Sequence, residues 1–159
     1  MGWSRDRPDR RRVGCRQRWD TDPAARELPT EGIVRLQMDV AEELVPAVAA
    51  VIDNHLSTAT PVVLEGDQLL PARRPGMLAL VGHEPDREQM AANYRLREPE
   101  SGDQTERALV SRLHGELLVA RAATVGVPVL AARPWADVVD RALVALGLTD
   151  QDASRIAGG

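Results

Sequence analysis

The chain contains no lysine and no phenylalanine, and it has one cysteine and one tyrosine. Each scarcity excludes something. A single thiol, Cys15, rules out an internal disulfide and agrees with a reducing compartment. With three tryptophans, one tyrosine and no phenylalanine, the core must be aliphatic. No apolar run approaches the ~18 residues of a membrane span. The N-terminus lacks the apolar stretch of a secretory signal, so a cytoplasmic location is expected. Without lysine, all 20 basic residues are arginine.

What is present describes one domain: 159 residues, 43% hydrophobic and 28% charged. The net charge of −4 is unevenly spread. Residues 1–19 hold seven Arg against two Asp, while residues 20–159 hold 13 Arg against 22 acids. The Arg-rich segment has neither a helical nor a strand period and reads as a disordered tail. Such a tail is either simply solvated or in contact with nucleic acid through phosphate charge. It lacks the interleaved aromatics that base stacking uses. The expected division is a tail over 1–19, a folded domain over 20–148 and a flexible end over 149–159.

Within the folded part, Pro29, Thr30 and Glu31 suit a helix start. Ile33, Leu36, Val40, Leu44, Val48, Ile52 and Leu56 then recur at spacings of three and four, one face of a helix. Pro46 lies inside it and cannot donate to the Glu42 carbonyl, so a kink or a break into two helices is expected. His55 near its end reads as a cation at a helix C-terminus.

Two apolar runs follow, Val62 to Leu64 and Met77 to Val81, each short enough to be a buried strand. Gly82 and His83 close the second, and Pro85, Asp86 and Glu88 begin a helix that ends before Pro99. His83 at a strand end can touch ligand, although no second histidine stands near it to make a metal site. A further helix runs from about Thr105 to Thr124, with Leu109, Leu113, Leu117 and Ala120 on its expected buried side. Gly126 stops it. Val127, Val129 and Leu130 form a third short strand beside Pro128, and Val138, Ala142 and Leu146 mark a last helix. Strands alternating with helices define an α/β layout with a parallel sheet, here of about three strands.

The stretch with most chemical promise is Pro61–Pro71, PVVLEGDQLLP. Glu65 and Asp67 follow its apolar run, and parallel sheets bind ligands beyond the strand C-termini. The alternative is that both are loop acids beside a turn glycine. Arg95 and Arg97 likewise have two readings, as cations compensating a helix C-terminus or as planar bidentate donors to phosphate.

PVVLEGDQLLP, MLALVGHEPDREQMAANYRLREP and VPVLAARPW together resemble the C-terminal two thirds of P-loop small-molecule kinases of the adenylate-kinase-like kind. They are closest to proteins described as 2-phosphoglycerate kinase-like or as AAA-type ATPases. The likeness runs from near Trp19 to about Leu148. It implies an incomplete three-layer P-loop fold that uses ATP and Mg2+ and acts on a small-molecule acceptor. Under it Glu65 organises magnesium or its waters, and Asp67 faces the acceptor. Arg95 and Arg97 stabilise the transferred phosphoryl group, and Arg133, Pro134 and Trp135 lie against adenine. Phosphoryl transfer is catalysed mainly by positioning and by such cations.

The chain departs from that pattern in one respect. A phosphate-binding loop of the form G-x-x-x-x-G-K-[ST] is absent, and with it the family's central first strand and helix. The resemblance therefore implies a truncated domain with little phosphoryl transfer of its own, and strand edges open to a partner chain.

Overall fold

The computed structural model describes residues 27–148. The Arg-rich segment 1–19 with Cys15, and the expected C-terminal tail 149–159, lie outside the described residues. In chain order the elements are α1 (Thr30–Ser57), β1 (Val81–His83), α2 (Arg87–Arg97), a 3-10 turn (Pro99–Ser101), α3 (Thr105–Val125), β2 (Val129–Ala131) and α4 (Val138–Ala145). The chain is thus of mixed helix and sheet character, α/β in its general layout.

The period of three and four predicted α1 correctly: Ile33 is buried, and Leu36, Val40, Leu44, Val48 and Ile52 are half-buried along one side. The helix runs as one element through Pro46 rather than breaking in two. Pro46 is exposed, so water can satisfy the Glu42 carbonyl that the proline leaves without a donor. Leu56, at the end of the stripe, is exposed.

α1 lies beside α3 with both helices running the same way. The Thr30 hydroxyl bonds the Glu106 carboxylate, Ile33 and Val34 pack on Val110, and Arg121 Nη1 lies 3.2 Å from Glu42 Oε1. Apolar contact supplies the adhesion, since exposed ion pairs contribute about 0–1 kcal/mol.

α3 is the hub of the molecule, packed against α1, α2 and β1. That changes which residues it buries. Of the expected Leu109, Leu113, Leu117 and Ala120, the first two are half-buried, Leu113 against the Ile33, Val34 and Val110 cluster, and the last two are exposed; the fully buried residues are Ala108, Val110, His114 and Ala122. A helix contacted from several sides lacks a single apolar stripe, and small side chains allow its neighbours to approach closely. Gly115 shows how closely: a Cβ there would lie 3.1 Å from Nδ1 of His83 in β1. At the end of α3, Gly126 takes the left-handed conformation (φ 70°), which glycine adopts without a side-chain penalty.

The sheet has two strands, parallel, with Val81 opposite Val129, Gly82 opposite Leu130 and His83 opposite Ala131. Two expectations need correction. Val62 to Leu64 is not a strand; it is irregular, and Val63 is 87% exposed. A strand exists only through a neighbour's hydrogen bonds, and no strand among the described residues lies beside this segment. The second strand also begins later than Met77, because only Val81 to His83 lie opposite β2. Below the sheet, Val81, Ala122 and Val127 form a small core with Ala79, Leu118 and Val119 packed around it.

Ala122 is 0% exposed, so Ala122→Leu should cost about 1–3 kcal/mol through overpacking. The neighbouring exposed Ala123→Leu should stay within about 0.5 kcal/mol. Urea unfolding with an unchanged m-value measures both.

Candidate functional site at the strand exits

Parallel strands release the chain on the same side, and here both exits carry charge. β1 continues through Glu84, Pro85 and Asp86 into α2, and β2 continues through Ala132, Arg133, Pro134 and Trp135. Asp86 caps α2, accepting hydrogen bonds from the amides of Glu88 (3.0 Å) and Gln89 (3.1 Å). Arg133 reaches across to these acids. Its Nε and Nη2 bind the two oxygens of Glu84 at 2.5 and 3.0 Å, and Nη2 also binds Asp86 Oδ2 at 3.2 Å. Arg133 Nη1 lies 3.4 Å from Gln89 Oε1.

The electrostatics follow from this fork. The Arg133 guanidinium, as hydrogen-bond donor, is the main reason Glu84 titrates below the usual carboxylate range. Asp86 is also held low, first by the helix amides and then by Arg133. Arg133 is raised in turn, chiefly by its hydrogen bond to Glu84. Two carboxylates against one guanidinium leave the rim acidic, with the Arg133 donors occupied.

A second arginine secures the β2 exit. Arg141 donates to the carbonyls of Ala131 (2.7 Å) and Pro134 (2.6 Å) and to Asp137 Oδ1 (2.8 Å), tying the loop to α4. The Arg133–Pro134 peptide is cis. Trp135 stands beyond it at 63% exposure, offering an indole face to solvent or to a planar ligand.

The other arginines singled out in the sequence lie on α2. Arg97 stacks on the Tyr94 ring at 5.2 Å, and Arg107 of α3 stacks on it at 4.2 Å while pairing with Glu98 at 2.7 Å. The Tyr94 hydroxyl lies 2.8 Å from Ser111 Oγ, joining α2 to α3. Among the described residues Arg95 makes no ion pair; with Arg87, Glu88, Ala91 and Thr105 it lines a cleft of about 290 Å3. Its charge adds to the Thr105 hydrogen bonds that hold Asp103 below the usual range. A larger groove, about 570 Å3, opens at the opposite end of the strands near Arg73, Met77 and Val127.

Glu65 and Asp67 are exposed on the irregular segment rather than at a strand end. No hydrogen bond or ion pair joins either of them to Arg95, Arg97 or Arg133. Among the described residues no group of three or more His, Cys, Asp or Glu side chains gathers to hold a metal. The structure therefore joins Arg133, with Pro134 and Trp135 following it in the loop, to Glu84 and Asp86, and no hydrogen bond or ion pair joins Glu65, Asp67, Arg95 or Arg97 to that fork. Pairing of Glu84 with Arg133, 49 residues apart, had no local signature in the sequence.

His114 also escaped sequence reading. It is 4% exposed in the middle of α3, and its Nε2 is buried without a hydrogen-bond partner, as is Oε1 of Gln37. Burial pushes its pKa down, while the charge of Asp67 acts in the opposite direction.

Compared with protein-family models, curated proteins and solved structures, the chain matches none. The class is therefore set by the fold alone, a mixed helix and sheet chain with a short parallel pair.

Because the folded-state pKa of His114 is depressed, the unfolded chain binds the extra proton more readily. Its contribution to stability is complete above the unfolded value of about 6.5 and is lost as pH falls below it. His114→Gln should flatten this dependence between about pH 7.5 and 5.5, as read by urea unfolding at each pH. Glu84 and Asp86 act lower, as pH falls through and below the ordinary carboxylate range, so their loss stays separate.

Proposed function

We propose that the chain is part of an ATP-dependent small-molecule kinase- or ATPase-like domain and does not transfer phosphoryl groups by itself. One observation supports this reading most: the two parallel strands exit side by side, Arg133 bonds Glu84 across the exits, and Pro134 and exposed Trp135 follow Arg133 in the same loop. That is the edge at which parallel α/β sheets take ligands. In this reading the Trp135 indole lies against adenine, and Glu84 with Asp86 holds the Arg133 side chain in place. Arg95, without an ion pair among the described residues, faces phosphate oxygens from the α2 cleft. The acceptor is a small molecule that meets the nucleotide near the Glu65–Asp67 segment.

Catalysis by this chain is limited by a missing cation rather than by the rim. Phosphoryl transfer requires a cradle of backbone amides and a lysine around the outer phosphates, and the chain has no lysine.

A second reading is favoured by a separate feature. The side of β1 away from β2 carries no strand among the described residues, as in a non-catalytic module that pairs with a partner chain by strand addition.

Millimolar Mg-ATP should raise the melting temperature by no more than about 1–2 °C, with no ADP released. Stabilisation by many degrees, lost in Glu65→Gln, would show that the chain builds a nucleotide site without the loop and overturn this reading.

A further inference from the structure

Tyr94 shows how this fold holds an arginine. Arg107 lies over its ring at 4.2 Å while bonding Glu98 at 2.7 Å, and Arg97 stacks on it at 5.2 Å. The strand exits offer the same ingredients without the stacked cation. Trp135 is 63% exposed, carries no guanidinium among the described residues, and follows by two positions the Arg133 that bonds Glu84 and Asp86. Residues 84–88 and 132–141 hold five acids, Glu84, Asp86, Glu88, Asp137 and Asp140, against Arg87, Arg133 and Arg141. An exposed indole on a rim of net negative charge fits an arginine side chain, which stacks on the ring and finds carboxylates around it.

The chain has such cations to place. Residues 1–19 hold seven Arg against two Asp, a net +5, whereas residues 27–148 hold 11 Arg against 18 acids, a net −7. Topology starts both at one end of the molecule. α3 carries the chain from the strand exits back to the beginning of β2, so its first turn lies on the exit side. The Thr30 hydroxyl bonds Glu106 in that turn, and α1 therefore begins on the exit side too. Gly115 is level with His83 at the end of β1, and Thr105 stands ten residues before it, up to about 15 Å beyond the strand ends. The link of residues 20–26 spans about 23 Å when extended, enough for that height and the roughly 8–10 Å between packed neighbours.

We propose that the strand exits are the docking site of the chain's own Arg-rich segment, residues 1–19, with one arginine on the Trp135 indole and others facing Glu84, Asp86 and Glu88. The contact stands apart from the kinase-like reading, since it needs the ring and the charges and no nucleotide. Any planar ligand of Trp135 then competes with an arginine of the same chain. Attraction between ionised groups at a surface is screened by salt, as the Debye length falls from about 10 Å at 0.1 M to about 3 Å at 1 M.

The single thiol, Cys15, lies within the segment and can carry a nitroxide for paramagnetic broadening in the full chain. The Trp135 indole N–H and the amides of Asp86 and Glu88 should broaden several-fold more than the amide of Gly126, at the other end of the strands. Arg10→Gln, Arg11→Gln and Arg12→Gln combined should remove most of this difference, as should about 1 M salt. Trp135→Ala, at a side chain too exposed for the fold to need it, should weaken docking about two- to fivefold, read at Asp86 and Glu88. A mixture of labelled chain with unlabelled, isotope-enriched chain tells docking within one copy from docking between copies. Broadening that is absent or evenly spread, that persists in the triple variant or at high salt, or that centres on Glu31 at the start of α1 overturns the proposal. Equal broadening in the unlabelled copy overturns it as well.

Discussion

Pairing of Val81–His83 with Val129–Ala131 is the constraint on which the arrangement depends. It is a small contact, three residues on each side, yet it fixes where α2 and α3 lie between the two strands. It also aligns the two chain exits. Glu84 and Arg133 meet because they come one and two residues after strands whose ends are level, and Asp86 joins them because it caps the helix that begins there. Sliding β2 by one residue would turn Leu130 to the opposite face and pull the Arg133 fork out of reach.

α3 bears the load on the other side of that pairing. Apart from Val110, its buried residues are small or polar, Ala108, His114 and Ala122, and none of the chain's large side chains is fully buried among the described residues. A core of this kind encloses little apolar area per residue. Its stability rests on close approach rather than on bulk, as the contact between Gly115 and His83 illustrates. The unpartnered Nε2 of His114 is a cost within that core, since a buried polar atom without a partner loses its water for nothing in return.

The site is legible in the sequence only where chemistry and chain proximity coincide. A helix start at Pro85, Asp86 and Glu88 could be recognised because the proline and the acids after it are local, although the structure makes Asp86 the cap and begins the helix at Arg87. Pro134 and Trp135 could be placed after a strand for the same reason. Glu84 could not be paired with Arg133, because nothing in either neighbourhood specifies the register that joins them. Val62 to Leu64 shows the converse. Its composition satisfies every local criterion for a strand, but a strand is a relation between two backbones, and the second backbone is missing from its side.

By itself the sequence determined the four helices to within a few residues, the punctuation at Pro29, Asp86 and Gly126, and the absence of a lysine-bearing phosphate loop. These depend on periods of three and four, on capping chemistry and on composition, all of which act over one or two turns. Tertiary structure alone decided that the described residues form a sheet of two strands, that α3 buries His114 more fully than its leucines, and that Arg133 is held by acids. Each of those outcomes depends on which elements meet, and burial and ion pairing are properties of the meeting rather than of either segment.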